Sequence, residues 1–222
     1  MSTGVKAKYF LFFGLINLAL YFFVQGYVTE HEVDLMTDFD RAIPFMPEHI
    51  WIYHSITPVI AATMILLVKT KRIFFTTFWS CIAATAILNL MYLFFPSFYP
   101  RGEFDVNSFS EILVQLTREI DGANNTFPSG HVTFAWILFC GVFYSDAAKK
   151  FKGIKSLYCL WAVGISMSTL VLKQHYIVDV FSGFGLATTI FFLVKTLFEG
   201  KGLYQDNEKM LDEANYLYPD KE

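Results

Sequence analysis

The sequence predicts an all-α integral membrane bundle of six transmembrane helices, with a short amphipathic surface helix in the second outer loop. Two observations carry that expectation. Of the 222 residues, 55% are hydrophobic and 18% aromatic but only 17% charged, whereas soluble domains average about 25% charged residues. The 25 Phe and 12 Tyr alone are hard to hide in a soluble core of this size. Several apolar runs also approach the ~20 residues that cross roughly 30 Å of hydrocarbon.

The first run, 9–28, follows Lys6 and Lys8 as a signal peptide would. It is too long for a signal h-region and lacks a small-x-small cleavage site, so it reads as a retained helix. Five more spans are expected at 50–68, 73–95, 132–148, 156–172 and 180–198. The fourth and fifth are short and need tilt or burial beside neighbours. No internal repeat interrupts them, so 1–200 is expected to be one membrane domain and 201–222 a polar cytoplasmic tail.

Short cytoplasmic loops hold an excess of Lys and Arg. One set of connections and termini holds Lys6, Lys8, Lys69, Lys71, Arg72, Lys149, Lys150, Lys152, Lys155, Lys195, Lys201, Lys209 and Lys221. The other holds only Arg41, Arg101, Arg118 and Lys173. Both termini are therefore expected on the cytoplasmic side. The first outer loop, 29–49, is acidic and carries Asp38, Asp40, Arg41, Pro44 and Pro47. The second, 96–130, contains 109–119, where Phe109, Ile112, Leu113 and Leu116 fall at helical spacing opposite Glu111, Gln115 and Glu119. That pattern suits a helix lying on a membrane surface. The third is the brief 173–179.

Other features have plain readings. No basic stripe or zinc-finger spacing points to nucleic acid. Cys81, Cys140 and Cys159 lie inside apolar runs without a Cys-x-x-Cys pair and read as buried free thiols. His31, His49 and His54 read as interface histidines, and Trp51, Trp79 and Trp136 as interface anchors. Asn124-Asn125-Thr126 is a glycosylation sequon, but its place suits loop-shaping polar groups.

The chemistry gathers at the ends of two outer loops. The second ends in Phe127-Pro128-Ser129-Gly130-His131, directly before a span. Such a turn feeds a helix amino terminus whose first N–H groups lack intrahelical partners, a ready anion site with His131 in its first turn. The plain alternative is a Ser cap beside a polar interface histidine. The third loop reads Lys173-Gln174-His175-Tyr176-Ile177-Val178-Asp179. His175 and Asp179 are four apart and share a face if the helix has begun by His175. An aspartate on one imidazole nitrogen fixes the tautomer and frees the other nitrogen as nucleophile or base. The alternatives are a two-ligand start of a metal site, for which no third ligand at metal spacing is present, and a capping Asp beside an interface His.

Pro128-Ser129-Gly130-His131, with His175-Tyr176-Ile177-Val178-Asp179 following 44 residues later, resembles the type 2 phosphatidic acid phosphatase (lipid phosphate phosphatase) superfamily. The resemblance implies that His175 attacks phosphorus, Asp179 orients it and His131 protonates the leaving oxygen, while Ser129 and the Gly130 N–H cradle phosphate oxygens. It departs from the family in two places. The first motif lacks its lysine and has Pro100 before Arg101, and Thr169 stands after Ser168 where the family has arginine. Arg101 carries over as a phosphate ligand, and Lys173 and Arg118 are candidates for the missing positive charge by their outer position. The segment Asp38-Phe39-Asp40-Arg41-Ala42-Ile43-Pro44-Phe45, Pro100-Arg101 and the His-Tyr-x-x-Asp ending resemble the branch that includes inositol phosphorylceramide and sphingomyelin synthases.

The implied activity is hydrolysis of a lipid phosphomonoester or diphosphate through a phosphohistidine, with no metal and no cofactor, at the non-cytoplasmic face. The alternatives are transfer of a phospho-head-group to a lipid alcohol, and a non-catalytic membrane binding protein. The expected partners are a lipid phosphate and the bilayer.

Overall fold

The structure is a computed structural model that describes residues 1–28 and 33–200. His31 and the expected tail, 201–222, lie outside the described residues. The chain is almost wholly helical: α1 (Thr3–Tyr27), α2 (Asp38–Ala42), α3 (Ile50–His54), α4 (Ile56–Ala62), α5 (Lys71–Phe94), α6 (Phe109–Asp121), α7 (Gly130–Phe143), α8 (Asp146–Lys150), α9 (Ile154–Val171) and α10 (Ile177–Gly200). A 3-10 turn, Pro47–His49, and a π turn, Thr63–Leu67, extend α3 and α4 into one apolar segment. Two short strands, β1 (Val33–Asp34) and β2 (Ser97–Phe98), pair in parallel.

Among the described residues, five helices are long and apolar enough to cross a membrane: Thr3–Tyr27, Pro47–Leu67, Lys71–Phe94, Ile154–Val171 and Ile177–Glu199. Their length and composition suggest an integral membrane protein. The run expected as a fourth span, 132–148, differs. Here α7 has 14 residues and ends at Phe143, about 21 Å at 1.5 Å per residue. The Ser145 hydroxyl donates to the Val142 carbonyl at 2.8 Å, a local bond that competes with helix continuation. The apolar Ala147 and Ala148 belong to α8 instead.

Short α7 is the centre of the bundle, packed against α5, α9 and α10. Val132, Ala135, Ile137, Leu138 and Val142 are fully buried there. By contrast α1 packs along α5 and the π turn and leaves Leu11, Leu15, Leu18 and Phe23 exposed. Apolar surface of that extent calls for a partner or lipid. Between helices in lipid, close van der Waals packing replaces the hydrophobic drive, and small residues let backbones approach. Gly183 of α10 shows this: a Cβ there would lie 2.8 Å from the Ser129 carbonyl oxygen and 3.2 Å from Thr133 Oγ1. The Thr133 hydroxyl also donates to the Gly183 carbonyl at 3.2 Å.

Contacts at the helix ends sort the connections into two groups. At one end, Lys6 Nζ donates to the Val68 carbonyl at 2.5 Å, Arg72 pairs with Glu199 at 2.5 Å, and Thr70 bonds Asp146. At the other, Tyr21 bonds Asp121, Asn124 Nδ2 donates to the Val28 carbonyl at 3.0 Å, and the Ser129 N–H donates to the Asp179 carbonyl at 3.1 Å. The lysine-rich connections thus share one end of the bundle and the motif-bearing loops the other.

At α6, Val114 and Thr117 are buried, whereas Phe109, Ile112, Leu116 and Ile120 are exposed. Its start is capped by the Ser108 hydroxyl, which accepts from the Glu111 N–H at 3.2 Å.

Gly183→Ala should lower the thermal midpoint in detergent, at a cost of about 1–3 kcal/mol for overpacking at the α7–α10 crossing. Gly185→Ala, with nothing within 4 Å of its added Cβ, should leave the midpoint unchanged or raised.

Candidate active site

The turn bearing His175 is built by α9 running out. Lys173 takes a left-handed φ of 56°, and the Gln174 and His175 N–H groups both donate to the Thr169 carbonyl, at 3.0 and 3.2 Å. The residue at the position expected for arginine is therefore a fully buried clasp of this turn. α10 begins only at Ile177, so the condition for His175 and Asp179 to share a helical face, a helix begun by His175, is not met. Instead Asp179, in the first turn, reaches back: its Oδ2 accepts from the Tyr176 N–H at 2.9 Å and meets His175 Nδ1 at 3.3 Å. The Thr126 carbonyl is closer to that nitrogen, at 2.8 Å.

Both partners of Nδ1 are acceptors, so Nδ1 carries the proton and Nε2 keeps its lone pair. His175 is buried, 8% exposed, and lines a cavity of about 480 Å³. Across the same cavity stands His131, whose ring stacks on Tyr53 with centroids 4.0 Å apart. The two imidazoles lie within electrostatic range of each other. The His131 turn is fixed from below: the Tyr92 hydroxyl donates to the Pro128 carbonyl at 2.9 Å. Ser129 is fully buried and acts as the α7 cap, its Oγ accepting from the Val132 N–H at 3.5 Å. Gly130 lines the cavity and Ser129 does not.

The expected cations separate. Arg101 lines the cavity, with Nη2 donating to Gln174 Oε1 at 2.5 Å and Nη1 to the Arg118 carbonyl at 3.3 Å. Burial pulls its pKa below the usual guanidinium value, against the Asp121 carboxylate, which raises it. Arg118 does not line the cavity. Its guanidinium lies over Phe45 and Phe104 and donates to the Gly102 and Leu172 carbonyls at 3.0 and 3.3 Å. Burial, helped by Arg101, lowers its pKa to about 10. Lys173 also stands off the cavity, with Nζ donating to the Asp40 carbonyl at 2.8 Å.

Sequence reasoning missed several residues. Asp40 is one: its Oδ1 accepts the Ile177 N–H at 2.8 Å, satisfying an orphan donor at the start of α10, while its Oδ2 accepts from Thr37. Tyr176 is another, fully buried, its hydroxyl donating to Asp34 Oδ1 or the Phe98 carbonyl, each at 2.8 Å. The first outer loop thus bolts the His175 turn in place. Its acidic content was visible, but the partner 137 residues away was not.

Asp121, Asn125 and Gln174 also line the cavity. Asp121 accepts from the Tyr21 hydroxyl and, at 3.4 Å, from the Tyr53 hydroxyl. Burial pushes its carboxyl up, while Tyr21, Arg101, His175 and Tyr53 favour the charged form. The sequon residues divide. Asn124 is spent on the Gln25 and Val28 carbonyls, and Asn125, 4% exposed with φ 61°, faces the cavity. The buried Ile56, Ile60, Leu88 and Phe134 and the exposed Leu18 and Phe22 make the rest of the lining apolar.

Residues 94–202 match the model of the PAP2 superfamily, a stretch that contains both histidine motifs and Arg101. No curated protein matches the chain.

Asp40→Ala strips the acceptor from the Ile177 N–H and should cost about 1–3 kcal/mol locally. Hydrogen exchange at the Ile177 amide should accelerate about tenfold or more, since 1.4 kcal/mol is a factor of ten.

Proposed function

We propose, from the premise that residues 94–202 make the chain a member of the PAP2 superfamily, that it is an integral membrane enzyme cleaving the phosphate ester of a lipid through a phosphohistidine on His175. The observation that carries the reading is the double acceptor environment of His175 Nδ1, which leaves the Nε2 lone pair in the cavity shared with His131.

His175 Nε2 attacks phosphorus in line with the ester oxygen, the P–O bond breaks, and His131 gives its proton to the departing alkoxide. The phospho-group is then on Nε2. The imidazolium that forms is stabilised by Asp179, whose second oxygen is buried without a partner, and by the Thr126 carbonyl. His131, now neutral, takes the proton of the acceptor that attacks phosphohistidine, and the cycle closes. A positioned acid or base of this kind contributes ~10²–10⁴-fold. Arg101 and the Gly130 N–H at the α7 amino terminus meet the phosphoryl oxygens.

In this reading six helices span the bilayer, α7 included, because its short length is sheltered by three neighbours. The lysine-rich end is cytoplasmic and the site lies at the opposite face. α6 rests its exposed apolar flank in the interface. The exposed Leu18, Phe22, Leu116 and Ile120 rim the cavity, which supports sideways entry of a lipid with its chains left in the bilayer. The acceptor is water; a lipid alcohol is the second reading, favoured by the sparse positive charge of the cavity.

The test is turnover in detergent micelles with a panel of phosphorylated lipids, with and without diacylglycerol or ceramide as acceptor. His175→Ala should fall to background. His131→Ala should lose ~10²–10⁴ in kcat and recover part of it on a substrate whose leaving group needs no proton. Histidine variants that match the wild type would remove the mechanism.

A further inference from the structure

The two histidines of the cavity are held in different ways. His175 is fixed through Nδ1 by the Thr126 carbonyl and Asp179. Among the described residues, no protein group hydrogen-bonds a ring nitrogen of His131, and neither nitrogen is sealed away. What orients that ring is its face. It lies on the Tyr53 ring with centroids 4.0 Å apart and planes 24° apart.

Tyr53 has little freedom of its own. It is 2% exposed and packs among Ile50, Val114 and Leu172. Its hydroxyl donates to Asp121 Oδ2 at 3.4 Å, the polar partner that a buried tyrosine needs. Two more residues of α3 tie that helix to α6. Trp51 Nε1 donates to Ser110 Oγ at 3.2 Å, and His54 Nε2 meets Thr117 Oγ1 at 2.9 Å. The platform is set before any ligand arrives.

A contact through the ring face suits an acid that must next become a base. A hydrogen bond at one imidazole nitrogen would select a tautomer and occupy that nitrogen. A stack holds the plane and leaves both nitrogens free to exchange protons. It also serves both charge states: a protonated imidazole over a tyrosine face gains a cation–π attraction, and a neutral one keeps the aromatic stack.

We propose that Tyr53 is a positioning residue for the general acid, setting the plane of His131 so that its proton meets the leaving oxygen. The inference rests on the reading that His131 protonates that oxygen. Tyr53 acts through the imidazole alone, so its effect is confined to reactions that need the proton.

The experiment measures kcat and KM of the full chain in micelles on two phosphorylated lipids of one chain length. One releases an alcohol, whose alkoxide needs a proton; the other releases a nitrophenol, whose anion leaves without one. Tyr53→Leu keeps apolar bulk but removes the plane. It should lower kcat on the first substrate about ten- to a hundredfold, since a misplacement of about 1 Å can cost ~10²-fold. On the second substrate kcat should stay close to the wild type, with KM unmoved on both. Tyr53→Phe restores the face and should recover most of the lost activity. In a His131→Ala background, Tyr53→Leu should cost nothing further on the alcohol substrate, as residues acting as one unit are not additive.

A Tyr53→Leu loss that is equal on the two substrates, or that adds in full to the His131→Ala loss, assigns Tyr53 to the fold alone and overturns the proposal. Full activity of Tyr53→Leu overturns it too. Tyr53→Met, with a flexible side chain and no plane, takes its place if Tyr53→Leu does not fold. The wild type supplies an independent measure: the Tyr53 ring current should carry the His131 ring-proton resonances upfield of their random-coil positions, and unshifted resonances sink the platform. His131→Ala separates the two readings. Equal losses on both substrates in that variant remove the acid role of His131, whereas a selective loss there beside an unselective one in Tyr53→Leu removes only the positioning.

Discussion

The site depends on one backbone crossing. The Ser129 N–H donates to the Asp179 carbonyl at 3.1 Å, tying the turn before α7 to the first turn of α10 across 50 residues of chain. That bond is short enough to form only because residue 183 has no side chain: its Cα faces the Ser129 carbonyl from the next turn of α10. Once the two helix starts are pinned together, their first side chains have little choice. His131 emerges from the first turn of α7 and His175 from the residues just ahead of α10, and both enter one cavity. Hydrogen bonding of this kind counts for more where water is scarce, because an unmade bond in a buried site has no solvent to fall back on.

Around that crossing the outer loops act as braces. Asp40 holds the Ile177 N–H, Tyr176 bolts to β1 and β2, Arg118 lies over Phe45 and Phe104, and Lys173 holds the Asp40 carbonyl. Charged and polar groups are expensive to bury and are kept where they are paired. Most of those here are paired with each other or with backbone carbonyls. Among the described residues the unpartnered buried atoms are Gln174 Nε2, both polar atoms of Asn125, Asn89 Oδ1 and Arg101 Nε on residues that line the cavity, Asp179 Oδ1 beside His175, and Gln25 Oε1, His49 Nδ1 and Arg118 Nε away from it.

Much of the architecture was legible because a long apolar run has few alternatives to a helix in lipid. The runs beginning near 9, 50, 73, 156 and 180 all became long helices, extended into their polar flanks by caps such as Ser2. The run at 132–148 was misjudged, since hydropathy counts Ala147 and Ala148 as membrane residues and cannot register the Ser145 hydroxyl taking the Val142 carbonyl. Motif spacing led to His131 and His175, which do line one cavity, while the condition for a shared helical face of His175 and Asp179, a helix begun by His175, is not met because α10 starts at Ile177. The cation ligands were the least legible. Arg101, Lys173 and Arg118 all lie in outer loops, and nothing local distinguishes the one that faces the cavity from the two that brace it. That choice is made by Gln174, Asp40 and Phe104, which come from other segments.

The unpaired amides also bear on why such a site would give up cations. A lysine or arginine aimed into a low-dielectric cavity carries a desolvation cost of several kcal/mol whenever the ligand is absent, whereas an empty amide costs about 1–3 kcal/mol. Neutral donors therefore make the empty cavity cheaper to maintain, and the Gln174 amide, held through its oxygen by Arg101, has its dipole fixed in advance. The loss is in strength, because hydrogen bonds from charged donors are roughly twice as strong as those from neutral ones.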